Sequence, residues 1–176
     1  MAILTQTYAA SATITCLAGG TGSNATFVAG RESTQIDNTT TKYLDAIVQG
    51  KITVGLTPVL NTTIAIYVWG ADTSLATLTY DQANAAGLDL LTGVDSTRTL
   101  TNTGTLSMLK LGAAINVTTA TSNTTYPFAP FSVATLFGGI MPAFWGLYVT
   151  HNTGFTLHAT ATLHAFSFTG ITYTST

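Results

Sequence analysis

The sequence predicts an all-β fold, an antiparallel β-sandwich, jelly-roll-like, with about eight strands. Three observations predict it. Threonine supplies about one residue in five, and its branched Cβ favours extended backbone while its hydroxyl wets an exposed position. Short apolar, β-branched runs alternate with turns rich in Gly, Asn, Asp and Thr, the pattern of a sandwich or barrel. These runs number about eight, the strand count of two facing sheets wound as a jelly roll.

The runs follow one another along the chain. "SATITCL" (11–17) reads as a strand and "AGGTGSN" as the turn after it, because its glycines have neither the spacing nor the β-α-β context of a dinucleotide fingerprint. "ATFVAG" (25–30) is the next strand, and "STQIDNTTT" follows it as a connection. "KYLDAIVQGKITVG" (42–55) is a long extended stretch in which Gly50 marks a bulge or bend. "TTIAIYVWGA" (62–71) puts Ile64, Ile66 and Val68 on one face, and the "LTPVLN" between these two runs suits an antiparallel pair.

Residues 71–104 differ, carrying Asp72, Asp81, Asp89 and Asp95 and no basic residue before Arg98. They read as a long excursion loop, with a brief helical turn in "DQANAAGLDLL". The β pattern resumes in "TLSMLKLGAAINV" (105–117), "NTTYPFAPFSV" (123–133), "FWGLYVTH" (144–151) and "TLHATATLHAFSFTGITYT" (156–174). The last of these sets His164, Phe166 and Phe168 on one face and Leu163, Ala165 and Ser167 on the other.

Phe128–Val149 is long enough and apolar enough to raise the question of a membrane span. Pro130, Pro142 and the Gly138–Gly139 pair would interrupt a helix, and no Lys or Arg flanks it. It reads instead as a strand, a short helical turn "ATLF", a break "GGIMP" and a new strand, so no membrane partner is expected.

The 176 residues suit one domain, 1–176, with an N-terminal arm (1–8) and the excursion loop (71–104) as its appendages. Only 7% of residues are charged, against roughly a quarter in a typical soluble protein. All five basic residues precede Leu111, and from there to Thr176 only His151, His158 and His164 can carry charge. With a net charge of −2 and no basic cluster, no nucleic-acid partner is expected. The start of the chain shows no secretory pattern, so the Asn-x-Thr triplets carry no weight and folding in a cytoplasm is the expectation.

No Gly-x-Ser-x-Gly elbow or phosphate loop is present, and catalytic residues, cofactors and metals are all expected to be none. Cys16 reads as a small buried hydrophobe. The histidines lack companion ligands for zinc, and the four aspartates of the excursion form no calcium-loop pattern. An acid/base pair of a hydrolase within that loop is the weakest of the functional readings.

"LDAIVQGKITVG", "IAIYVWG" and above all "FSVATLFGGIMPAFWGLYVTHNTGFTL" resemble small structural proteins of tailed bacteriophages, the capsid decoration or cement group. The resemblance covers most of the chain from about Tyr43 onward. It implies a jelly-roll or sandwich subunit that clamps neighbouring major capsid proteins on the outer surface of the virion capsid, made in the host cytoplasm. A homo-oligomer, trimer or dimer, is expected with it.

The surplus apolar residues Phe128, Phe131, Phe137, Ile140, Met141, Phe144 and Trp145 are the candidate interface, against the alternative that they fill the core. The arm, Met1 to about Tyr8, is expected to join it. The alternative function is a tail, baseplate or host-adhesion component binding a glycan, with Trp69 beside the acidic loop as its supporting feature.

Overall fold

Eleven strands form two antiparallel sheets in the computed structural model, which describes residues 4–75, 91–101, 106 and 108–175. In chain order they are β1 (Leu4–Tyr8), β2 (Ala12–Thr13), β3 (Ala29–Glu32), β4 (Ile36–Asp37), β5 (Asp45–Thr53), β6 (Thr63–Ala71), β7 (Ser96–Thr99), β8 (Lys110–Asn116) and β9 (Thr125–Ser132), then a one-turn helix α1 (Val133–Leu136), β10 (Phe144–His151) and β11 (Ala165–Ser175). The first sheet runs β1-β11-β5-β9, with β2 also on β11; the second runs β7-β3-β10-β6-β8, with β4 also on β10.

The fold is the expected all-β sandwich, and the strand count differs for a visible reason. β1 and β2 are two pieces paired in turn with β11, and β3 and β4 are two pieces paired in turn with β10. At the second break the Ser33 hydroxyl accepts the Leu147 N–H at 2.8 Å where a strand carbonyl would stand, and Thr34 N–H turns away to Thr15 O. Taking each broken pair as one strand and setting β7 aside leaves eight positions.

The inner faces make the core. Ile64, Ile66 and Val68 of β6 meet Trp145, Leu147 and Val149 of β10 on one side, and Ala46, Val48 and Ile52 of β5 meet Phe166 and Phe168 of β11 on the other. Each fully buried aliphatic side chain here contributes about 1.5–3 kcal/mol. Trp145 packs edge-on to Phe168 across the two sheets, with ring centroids 5.2 Å apart.

The pair expected between residues 42–55 and 62–71 does not form, because β5 and β6 bury their apolar faces from opposite sides of this core and so lie in different sheets. The register shifts between Val48 and Gly50, as expected, with the extra residue in β9. A Cβ at Gly50 would lie 2.2 Å from Ala165 O, so only glycine fits that approach.

Phe128–Val149 divides into the end of β9, α1, a turn and the start of β10. Among the described residues no helix is long and apolar enough to cross a membrane.

Both expected appendages, where described, lie against the sandwich. Leu4–Tyr8 is no free arm; it pairs with β11 from Leu4↔Ser175 to Tyr8↔Ile171. The described parts of 71–104 cover the outer face of the second sheet: Leu75, Leu91 and Leu100 bury Trp69 and Tyr148 there. The helical turn expected in 81–91 lies almost wholly outside the described residues.

Candidate functional site

The candidate site lies at the end of the sandwich where β9 passes through α1 into β10. Asp45, the first residue of β5, organises this passage. Its Oδ2 accepts from the Ser132 hydroxyl at 2.7 Å and its Oδ1 from the Ala134 N–H at 2.9 Å. Ser132 caps α1 through Thr135 N–H at 3.1 Å. The helix stops after one turn because Gly138 and Gly139 take positive φ, and Gly139 N–H returns to Ala134 O at 2.8 Å.

That stop pushes the next residue outward: Ile140 is 75% exposed. A second connection stands beside it, turned by buried Asn38. Its Oδ1 accepts from Tyr43 N–H and its Nδ2 donates to Tyr43 O, while its own N–H reaches Ala143 O. The turn leaves Leu44 exposed. Between the two connections lies an open depression of about 620 Å³ lined by Tyr43, Leu44, Ile140 and Met141, with Lys42 at its rim. Another, of about 420 Å³, lies on the far side of Ile140 against Phe137 and Pro142. The surface is apolar and shallow, suited to receiving another protein's apolar side chains.

The seven candidate interface residues separate on this geometry. Ile140 is exposed, and Met141, Phe137, Phe144 and Phe131 are half-buried. Trp145 and Phe128 are corrected to core residues: Trp145 has no exposed surface and Phe128 stacks between Phe131 and Phe166. Both face inward because their strand parity puts them with Leu147 and Tyr126. Trp69 is likewise enclosed, with no exposed surface, and cannot stack on a sugar. Leu44 was missed because "KYLDA" reads as strand interior, and Asn38 gives no local sign that its side chain shapes a turn.

Two ion pairs join the second sheet to residues 92–98. Arg31 on β3 pairs with Asp95, whose Oδ2 also accepts Ala18 N–H. Fully buried Glu32 accepts from Arg98 Nε at 2.8 Å, Thr92 N–H and hydroxyl, Gly93 N–H and the Ser96 hydroxyl. These bonds pin 92–98 to the second sheet. Asp72 is exposed at the end of β6, Asp95 is committed to Arg31, and Asp81 and Asp89 lie outside the described residues.

His151 and His164 are buried and hydrogen-bonded. Nε2 of His151 donates to Thr21 O at 3.0 Å, and Nε2 of His164 donates to His158 O at 2.7 Å. Burial holds both imidazoles below their ordinary pKa, so they are neutral braces of the opposite end of the sandwich. Burial also pushes the Cys16 thiol well above the usual range, in keeping with its packing in the core. Among the described residues no three His, Cys, Asp or Glu gather as a metal site. Compared with protein-family models, with curated proteins and with solved structures, the chain matches none.

Proposed function

We propose that this protein is a structural subunit of a bacteriophage virion, a capsid decoration or cement protein that binds the outer face of the major capsid protein lattice. The observation that carries the reading is the apolar crest of Ile140 and Leu44, held at one end of a rigid sandwich by Asp45 and Asn38. The strand order supports it. With the broken strands merged and β7 set aside, first pairs with last in one sheet and second with next-to-last in the other, an order in keeping with a jelly-roll subunit.

A subunit that binds only the assembled lattice favours that lattice by mass action, and it needs no bond chemistry to do so. The crest would seat against the shell, and the threonine-coated flanks would face water. In this reading the protein is no enzyme and takes no cofactor. The glycan-binding alternative loses its supporting feature with the burial of Trp69.

The test is the copy number of the chain in purified virions, measured by quantitative mass spectrometry against the major capsid protein. A ratio near one, or a simple fraction of it, is expected. A handful of copies per particle would move the protein to the tail or a vertex, and absence would overturn the reading.

A further inference from the structure

The first sheet has two outer edges, and they are built differently. β9 carries Pro127 and Pro130, which have no N–H to offer, and it packs against β8 of the other sheet, where Phe131 covers Gly112. β1 reads Leu-Thr-Gln-Thr-Tyr, with no proline, glycine or charge, and all five residues are exposed. Among the described residues nothing pairs with its outer side.

The direction of its backbone groups follows from two bonds. Ala9 N–H donates to Gly170 O, and Ile171 O turns the other way, to Leu44 N–H on the β5 side. Antiparallel alternation then points Thr5 and Thr7 at β11 and leaves N–H and C=O of Leu4, Gln6 and Tyr8 directed outward. That outward row is self-complementary. Turned about a twofold axis at Gln6, it sets Gln6 against Gln6, Leu4 against Tyr8 and Thr5 against Thr7, and closes about six backbone hydrogen bonds.

Charge favours the same partner. Residues 1–30 and 111–176 contain no Asp, Glu, Lys or Arg, so β1 and β11 bring no like charges together when two copies meet. Leu4, Tyr8 and neighbouring Tyr173 supply exposed apolar surface for the contact.

We propose that β1 pairs edge to edge with β1 of a second copy of this chain, about a twofold axis through Gln6, making one continuous sheet of the two first sheets. The surface lies apart from the Ile140 crest and does not depend on attachment to a shell. Its test therefore uses the full chain alone.

The chain is run in sedimentation velocity over a concentration series, beside Gln6→Pro and Gln6→Lys. Residue 6 directs its N–H outward, so proline there spares the β1–β11 bonds, while lysine keeps the backbone and places two like charges on the axis. Circular dichroism checks that each variant is folded. A dimer is expected, with its dissociation constant raised at least tenfold by either variant. Gln6→Cys should cross-link two chains on oxidation, since an antiparallel hydrogen-bonded pair sets the Cα atoms about 5.5 Å apart. The native thiol of Cys16 is buried and does not compete. A monomer at all concentrations, or an oligomer indifferent to both Gln6→Pro and Gln6→Lys, would overturn the proposal; the former would leave the edge to a strand from another protein.

Discussion

Replacing Glu32 by alanine tests whether the 92–98 segment is held by the buried carboxylate. Five donors converge on a side chain with no exposed surface, two of them the backbone N–H groups of Thr92 and Gly93. Breaking a buried ion pair from one side costs about 3–5 kcal/mol. Here Arg98 keeps 17% of its side-chain surface and recovers some hydration, which places the expected loss near the lower end, about 3 kcal/mol. For a domain of this size that is a fall of roughly 6–12 °C in Tm.

Urea unfolding followed by tryptophan emission is the assay, because Trp69 sits beneath this segment with Leu91 and Leu100. The Glu32→Ala/Arg98→Ala double variant should lose less than the sum of the single variants, by about 1–3 kcal/mol. A loss below about 1 kcal/mol for Glu32→Ala, or strict additivity, would refute the argument that the carboxylate pins the segment.

Acid should weaken the fold through His151 and His164. Their folded pKa values lie below the ordinary 6.5, so the unfolded chain binds more protons as pH falls below about 6.5. Stability should be full above that pH and decline toward each folded pKa, by at most about 1.4 kcal/mol per pH unit per histidine. Urea midpoints between pH 7.5 and 5 check this, and His164→Gln should flatten the slope. Gly50→Ala should cost about 1–3 kcal/mol by driving a Cβ into Ala165 O, whereas Gly22→Ala, with nothing within 4 Å, should leave the melting temperature unchanged. Ile140→Lys should preserve the melting temperature and abolish co-sedimentation with shells, on the proposed function, since the residue is three-quarters exposed.

The strands legible in the sequence were those whose apolar residues kept one face. β6 and β10 match the expected runs to within a residue, and Phe166 and Phe168 of β11, with His164 just before it, are buried as their parity demands. β3 lies later than the expected run at 25–30 because its sequence, Ala-Gly-Arg-Glu, looks like a loop. Its two charges are tolerated only because Asp95 and Arg98, more than sixty residues on, meet them in space. The burial of Trp69 has a related cause: its face of β6 is covered by the excursion, a contact no local pattern announces.

At the candidate site, the "ATLF" turn and the glycine break were readable and exposed Ile140 followed from them. The separation of Phe128 and Trp145 into the core was not, since both lie in the same apolar run as residues that stay half-exposed.

The pairing of Leu4 with Ser175 and Tyr8 with Ile171 sets the order of events during synthesis. The second sheet can assemble around β6 and β10 once β10 has left the ribosome, but β1 waits for β11 and stays unpaired until then. Such long-range closure makes a slow final step, and in the interval β1 offers both of its edges instead of one.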